Sequence, residues 1–159
     1  MNQVLSIFPL LLRAVRPSRT GDMKAVSNAF WLRGGYDALT FFGHIVTHSQ
    51  PAADRLNSRY DALKNHEMIH LRQAQATGDS WWLFYLRYGW YWLRALPWNR
   101  HMRQAAYWLN PFELEAYRHM NDLGYADRCS DGGAQEWRLY ARMKYEGRKA
   151  VYDKLFREA

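Results

Sequence analysis

The sequence predicts a mostly helical α+β fold, and three observations lead to this fold class. Helix start and stop signals recur through the second two-thirds of the chain, and short runs of β-branched and aromatic residues precede them. The composition, with 48% hydrophobic and 23% charged residues, is typical of a globular protein. A length of 159 residues suits one domain, so we expect residues 1–159 to form a single folded unit.

The amino-terminal segment, residues 4–15, is apolar but is interrupted by Pro9 and Arg13. It lacks a basic leader and a small-residue cleavage site, so it does not predict a signal peptide, and it is too short to span a bilayer. Cys129 is the only cysteine, which excludes an internal disulfide and a cysteine-based zinc ribbon and is compatible with a reducing compartment. We therefore expect a cytoplasmic protein and leave membrane association open.

Two strands are predicted after a polar connection at residues 16–27. Residues 29–33 and 39–47 carry aromatic and β-branched side chains that suit a sheet, and Gly34-Gly35 marks the turn between them. The polar stretch at residues 49–60 predicts a loop or a frayed helix start.

Four helices follow, and capping or stop residues set their ends. They are predicted at residues 61–76, 80–96, 110–123 and 134–156. Ser80 is a good cap for the second helix, and Pro97 ends it. Asn110 as cap and Pro111 at the first position start the third helix, which Gly124 ends.

The aromatic segment at residues 81–98 has two interpretations. It is apolar around nearly its whole circumference, which predicts burial against protein or lipid, and core packing over the preceding helix is the simpler outcome. Peripheral membrane contact is the alternative, with Arg87, Arg94 and Arg100 as partners for lipid phosphates. Two arginines inside the segment argue against a full transmembrane span.

The most informative segment is His66-Glu67-Met68-Ile69-His70. On a helix, residues four apart lie one turn above each other, so both imidazoles can face one metal ion. Glu67 is placed to reach a metal-bound water, whose pKa zinc lowers to about 7. The carboxylate can accept a proton from this water as it attacks a carbonyl carbon. The motif therefore supplies two ligands and a general base.

A third ligand is predicted in the first turn of the helix that starts at Asn110. Glu113 occupies that turn, and Ala116 on nearly the same face allows a close approach to the histidine helix. Glu115 is the alternative ligand, and otherwise we expect it in a surface salt bridge. It lies about 200° around the helix from Glu113, so only one of the two can face the histidines. Two His and one Glu leave a fourth zinc position open, as catalytic zinc requires.

A His-Glu-x-x-His helix followed by a Glu-x-x-Ala helix resembles the zincin metallopeptidases whose third ligand is glutamate, the gluzincin group. The resemblance covers roughly residues 40–128 and is closest to small bacterial proteins of this type. Further matching features are Gln73, the aromatic pair Phe84-Tyr85, and the segment Phe112-Glu113-x-Glu115-Ala116-Tyr117. The resemblance implies a minimal zincin-like domain with a small sheet and a metal-binding helix pair.

The resemblance also implies an activity, which is hydrolysis of a peptide or protein substrate. It implies that His66, His70 and Glu113 bind Zn²⁺ and that Glu67 is the general base. Several relatives carry an Asp four residues after the glutamate ligand, where this chain has Tyr117. The candidates for a donor to the transition-state oxyanion are Tyr107, Tyr117 and His119. Zincins bind peptides as an added strand, so we expect residues 41–47 to line the substrate groove.

Two other classes of function stay open. The zinc site could be catalytically idle, in a binding or membrane-surface module, although a structural zinc site does not need Glu67. The net charge of +7 could also attract nucleic acid, but no basic run is tight. Zincin-type proteases that act on DNA-bound proteins usually use a third histidine and a cysteine zinc ribbon, so nucleic acid is not an expected partner.

Overall fold

A computed structural model describes residues 16–28 and 38–157 of the chain. These residues form eight helices and a three-stranded mixed sheet, which confirms the mostly helical α+β fold class. The apolar segment at 4–15, the predicted strand at 29–33 and the turn that follows it lie outside the described residues.

The sheet has the strand order β1-β3-β2, where β1 is Lys24–Ser27, β2 is Ala38–Phe41 and β3 is His44–Thr47. β3 pairs in parallel with β1 and antiparallel with β2. The predicted single strand at 39–47 is therefore wrong, because a tight turn at Phe42 and Gly43 divides it. β3 lies at the centre of the described sheet, and β1 and β2 form its two edges.

The turn between β2 and β3 depends on a residue with an unfavourable backbone conformation. Phe42 has φ 45°, in the left-handed region, and Gly43 follows with φ 83°. The Phe42 N–H donates to the Tyr85 hydroxyl at 3.1 Å, and the two rings pack with centroids 4.9 Å apart. These contacts with the aromatic helix hold the turn and therefore the position of β2.

The polar connection predicted at 16–27 is wrong in its last residues, which form β1. The Asn57 side chain accepts a hydrogen bond from Ala25 N at 2.8 Å and donates to Ala25 O at 2.9 Å. This amide completes the backbone pairing of a strand that has a partner only in β3. Asn57 belongs to α1 (Gln50–Ser58), a helix capped by Ser49 in the stretch where the sequence predicted a loop or a frayed helix start.

The two helices that carry the motif residues are α2 (Ala62–Ala76) and α5 (Pro111–His119). α2 starts at a cap provided by Asp61, and α5 starts at Asn110, as predicted. α5 ends four residues before its predicted end. Asn65, from α2, donates through its side chain to the carbonyls of His119, Met120 and Asp122 and so satisfies the end of α5. The two helices are therefore fixed to each other one residue before the first histidine of the motif.

The aromatic helix α3 (Trp81–Ala95) begins at the predicted cap, Ser80, and continues into a 3-10 turn at Leu96–Arg100. Its inner side is buried, with Phe84 packed against Phe112 of α5 at a centroid distance of 5.0 Å. Its opposite side is exposed, so core packing accounts for only part of its apolar surface. Within the described ranges, no helix combines the length and the apolarity needed to cross a bilayer.

The remaining helices are α4 (Ala105–Trp108), α6 (Tyr125–Arg128), α7 (Trp137–Arg142) and α8 (Tyr145–Phe156). The predicted continuous helix at 134–156 is wrong, because extended backbone at Met143 separates α7 from α8. Arg148, which is buried, donates to the carbonyls of Tyr140 and Ala141 at 2.8 and 3.1 Å. A cation at the carboxyl end of α7 stabilises this break.

Gly133 provides a test of the packing between α2 and the segment before α7. It has φ 77°, and an added Cβ would lie 2.2 Å from Arg72 O and 2.6 Å from Ala76 N. Gly133→Ala should lower the free energy of unfolding by more than about 3 kcal/mol, because it combines backbone strain with overpacking. Urea denaturation followed by tryptophan fluorescence measures the loss.

Gly132→Ala is the matched control for this prediction. Gly132 has φ 81°, but the nearest atom to its added Cβ is 3.6 Å away. We therefore expect a loss of about 1–2 kcal/mol from backbone strain alone. Equal losses in the two variants would show that the contact with α2 is not what requires glycine.

Candidate metal centre

α2 and α5 bring His66, His70 and Glu113 together in the interior. The two Nε2 atoms are 3.2 Å apart, and the Glu113 carboxylate places Oε2 3.3 Å from His66 Nε2 and Oε1 3.5 Å from His70 Nε2. The three residues are only 4%, 5% and 3% exposed. One ligand atom from each lies within 4.8 Å of the others, so this group could hold a metal ion.

The donor set has the spacing that a small tetrahedral ion needs. Zinc binds nitrogen and carboxylate oxygen at about 2.0–2.2 Å, which puts neighbouring tetrahedral ligands about 3.3 Å apart. The Nε2–Nε2 separation of 3.2 Å and the 3.3 Å between His66 Nε2 and Glu113 Oε2 lie close to that value, and the second carboxylate oxygen, Oε1, is 3.5 Å from His70 Nε2. Glu113 Oε2 is buried and accepts no well-aligned hydrogen bond from the described residues. The three side chains therefore fit a shared cation.

Gln73 fixes the ring of His70. His70 Nδ1 is 2.8 Å from Gln73 Oε1, and Gln73 Nε2 donates to Phe112 O at 2.9 Å and to Glu115 Oε2 at 2.8 Å. Because the two acceptors of Nε2 fix the orientation of the amide, Oε1 faces the ring and Nδ1 must carry the proton. His70 Nε2 then presents its lone pair to the centre, as a metal ligand requires.

The Glu113 carboxylate is oriented from the aromatic helix. The Tyr88 hydroxyl donates to Glu113 Oε1 at 2.7 Å, and the other oxygen, Oε2, lies 3.3 Å from His66 Nε2. Burial alone would raise the pKa of Glu113, but the neighbouring His70 and His66 and the Tyr88 hydrogen bond lower it to about 2. The carboxylate is therefore ionised and negatively charged, as a ligand must be.

The electrostatic field at the centre favours positive charge. Burial disfavours a charged His66, but the adjacent Glu113 carboxylate and the charge of Glu67 outweigh burial and raise the pKa of His66. In the part of the chain that the structure describes, the His66 ring has fewer contacts that fix its orientation than the His70 ring has. Its Nδ1 is buried and has no hydrogen-bond partner among the described residues. A Tyr117 ring lies edge-on to His66 with centroids 4.5 Å apart and limits its rotation.

Glu115, the alternative ligand, lies elsewhere in the interior. Its carboxylate accepts hydrogen bonds from Gln73 Nε2, the Tyr125 hydroxyl and Glu136 N at 2.8, 2.8 and 2.7 Å. Glu115 is fully buried, so the expectation of a surface salt bridge is wrong. These three hydrogen bonds connect α5 to α2, to α6 and to the start of α7. The Glu115 carboxylate therefore contacts hydrogen-bond donors and not the histidine pair.

Glu67 lines the same cavity as His66, His70 and Glu113, and a different element supports it. It is 3% exposed, and its Oε2 accepts a hydrogen bond from the Thr40 hydroxyl at 2.6 Å. Thr40 belongs to the edge strand β2, so the sheet positions the carboxylate. Neither Thr40 nor Tyr88 was identifiable from sequence, because both contacts depend on how β2 and α3 cross the motif helices.

A cavity of about 400 Å³ opens over the metal centre and contains Glu67. It is lined by Ala38, Leu39, Thr40, Phe41, His66, Glu67, His70, Phe84, Tyr85, Tyr88, Trp92, Tyr107 and Glu113. The described lining is thus apolar and aromatic around a small polar centre, which is typical of a ligand site. Only Phe41 of the predicted groove at 41–47 lines the cavity, since the other lining residues of the sheet precede it in β2.

The three candidates for an oxyanion donor lie at different distances from this cavity. Tyr107 lines it, and its hydroxyl is 2.9 Å from that of Tyr117. Burial and the nearby Glu113 charge raise the pKa of Tyr107, so its phenol stays protonated. His119 stacks on Tyr125 at 3.8 Å and contacts Glu136 at 2.7 Å, away from the cavity lining.

The two glutamates can be separated by metal analysis of purified variants. We expect wild type to bind about one zinc per chain and Glu113→Gln to bind it more than about 100-fold more weakly, because losing a ligand exceeds the 10–100-fold effect of losing a partner that orients one. Titration with a zinc-sensitive competitor dye measures both affinities. His66→Ala should behave like Glu113→Gln.

Glu115→Gln is the matched control in the same helix. It should keep the zinc stoichiometry and lower the free energy of unfolding by about 1–3 kcal/mol, because one donor of its network loses its acceptor. If the zinc affinity fell in Glu115→Gln and not in Glu113→Gln, the third ligand would be Glu115 rather than Glu113.

Comparisons with known proteins do not identify a relative of the chain. No protein-family model, no curated protein and no solved structure matches the chain. The assignment of a possible metal site therefore rests on the buried group formed by His66, His70 and Glu113.

Proposed function

We propose that the chain is a zinc-dependent hydrolase that cleaves a peptide or related amide bond. The observation that carries this proposal is a buried His66–His70–Glu113 group in one cavity with the carboxylate of Glu67. Zinc held by these three residues would polarise a substrate carbonyl and lower the pKa of a coordinated water to about 7. The other tasks of hydrolysis fall to side chains around the cavity.

Glu67 is the proposed general base. It accepts the proton of the attacking water and then donates it to the leaving nitrogen, as the same group does in general acid–base catalysis. The Thr40 hydroxyl, 2.6 Å from Oε2, restricts the carboxylate to one orientation. Preorganisation of this kind removes reorientation from the reaction step.

Tyr107 is the proposed hydrogen-bond donor to the oxyanion that develops on the carbonyl oxygen when water attacks the carbonyl carbon. It lines the cavity, and its phenol stays protonated. The Tyr117 hydroxyl, 2.9 Å away, positions it. Tyr117 thus acts through its neighbour rather than on the substrate, and His119, which contacts Glu136, has a structural role at the end of α5.

The proposed substrate is an extended peptide with an apolar side chain at the cleavage site. Within the described residues β2 forms one of the two edges of the sheet and lies beside the cavity, and an extended peptide can add to such an edge through its backbone. The cavity beside it presents the apolar side chains of Leu39, Phe41 and Phe84. Burial of an apolar side chain there stabilises the complex, whereas a charged side chain would lose its hydration.

Glu67→Gln tests the enzymatic proposal against an idle zinc site. We expect kcat/KM to fall by about 10²–10⁴-fold, because a neutral amide cannot accept the proton, while the zinc content stays unchanged. Hydrolysis of internally quenched peptide pools measures the rate. The matched control is Glu146→Gln on the exposed start of α8, which should retain full activity.

Either of two results would contradict the proposal of hydrolysis. Wild type loaded with zinc could cleave none of the pools, or Glu67→Gln could keep the wild-type rate. Both results point to a module in which the metal serves binding alone.

The apolar lining predicts a preference within those pools. Peptides with Phe or Leu at the varied position should be cleaved with a kcat/KM more than about tenfold above that for Asp or Lys, from the burial of one apolar side chain. Mass spectrometry of the products locates the bond. Preferred cleavage beside a charged residue would show that the substrate side chain lies outside the cavity.

A further inference from the structure

The outer side of α3 carries apolar side chains in solvent. Trp82, Leu86, Trp90 and Leu93 are 63%, 67%, 57% and 57% exposed, and Leu83 is 45% exposed. At 100° per residue these five positions fall within an arc of about 100° on the helix surface. They form one contiguous strip, here called the α3 outer face. An apolar strip of this kind on a protein surface marks an interaction site.

The surroundings of the α3 outer face are basic. Residues 80–112 contain four arginines and no aspartate or glutamate, within a chain of net charge +7. The arginines are Arg87, Arg94, Arg100 and Arg103, and all four are exposed. Arg87 and Arg94 lie at one edge of the strip, and Arg94 stacks over Trp90 at 5.6 Å. The partner of this face must therefore accept apolar side chains and offer negative charge around them.

We propose that the α3 outer face docks on the surface of an anionic lipid bilayer, with α3 lying in the plane of the headgroups. Leucine and tryptophan side chains partition into the boundary between headgroups and acyl chains, and arginines bind the lipid phosphates. Nucleic acid would match the arginines but would leave the leucines in water. A second copy of the chain would bring two arginine-rich surfaces against each other, which like-charge repulsion disfavours.

The docking proposal does not depend on the hydrolase proposal. If both hold, the proposed hydrolysis would take place next to the bilayer surface. The other side of α3 lines the cavity through Tyr85, Tyr88 and Trp92. A helix with its side chains is about 10–12 Å across, so a bilayer against the outer face would lie within about that distance of the cavity. Trp92, which is 40% exposed, belongs to the cavity lining and also reaches the surface.

The test is co-sedimentation of the full chain with vesicles of phosphatidylcholine alone or of equimolar phosphatidylcholine and phosphatidylglycerol. We expect binding to the anionic vesicles, weakened by high salt. Leu86→Gln/Trp90→Gln/Leu93→Gln should lower the partition coefficient by roughly 100-fold or more, from the lost apolar burial. Arg94→Gln/Arg100→Gln should lower it by about 25-fold, about fivefold for each charge. Trp82 stays unchanged in these variants because its ring also packs on Phe42 at 4.9 Å.

Matched controls carry the same substitutions on other surfaces. Leu123→Gln/Leu139→Gln/Met143→Gln replaces three exposed apolar side chains, and Arg59→Gln/Arg142→Gln removes two exposed charges. Both should keep the partition coefficient within about threefold of wild type, since distant charges are screened. Circular dichroism verifies that each variant is folded.

Three outcomes would overturn the docking proposal. The first is a wild-type protein that does not sediment with anionic vesicles, or controls that lose binding as much as the face variants. The second is dimerisation in analytical ultracentrifugation that the apolar triple variant abolishes, without vesicle binding. The third is binding to duplex DNA that Arg94→Gln/Arg100→Gln abolishes while the apolar variant keeps it, again without vesicle binding.

Discussion

The side-chain amide of Gln73 is the interaction on which the candidate site depends. Its oxygen faces His70 Nδ1 at 2.8 Å, and its nitrogen binds Glu115 Oε2 and Phe112 O across the contact between α2 and α5. One buried group thus sets the tautomer of a ligand and the approach of the helix that carries Glu113. Because a buried network must be satisfied throughout, this amide links the packing of α2 on α5 to the orientation of the His70 ring.

The two glutamates of α5, which are two residues apart, lie on different sides of the helix and have different partners. Glu113 turns to the histidines, whereas Glu115 turns to Gln73, Tyr125 and the backbone of Glu136. The first carboxylate keeps one oxygen without a well-aligned hydrogen bond, and both oxygens of the second are engaged. A carboxylate with full hydrogen bonding serves the fold, and one with a vacant lone pair beside two imidazoles is suited to a cation.

The sequence is informative where the determinants are local and fails where they are tertiary. Asn110 and Pro111 specify the start of α5, and the i, i+4 spacing places His66 and His70 on one face, so these features were predictable. β1 was not, because Lys24–Ser27 is held by parallel pairing to β3 and by the Asn57 side chain. The sequence predicts core packing for the whole aromatic segment that contains Tyr88. The hydrogen bond from Tyr88 to Glu113 depends on how α3 packs against α5, which the sequence does not show.

Glu67 is the residue on which the proposed chemistry of the centre depends. It is a carboxylate with 3% exposure, and its described partner is the neutral hydroxyl of Thr40, with no ion pair among the described residues. Burial of such a group lowers the stability of a fold, so a purely structural site gains nothing from it. In the proposed reaction this carboxylate would accept the proton of a water that zinc activates. The proposed role of Glu67 as a proton acceptor would account for the cost of burying it.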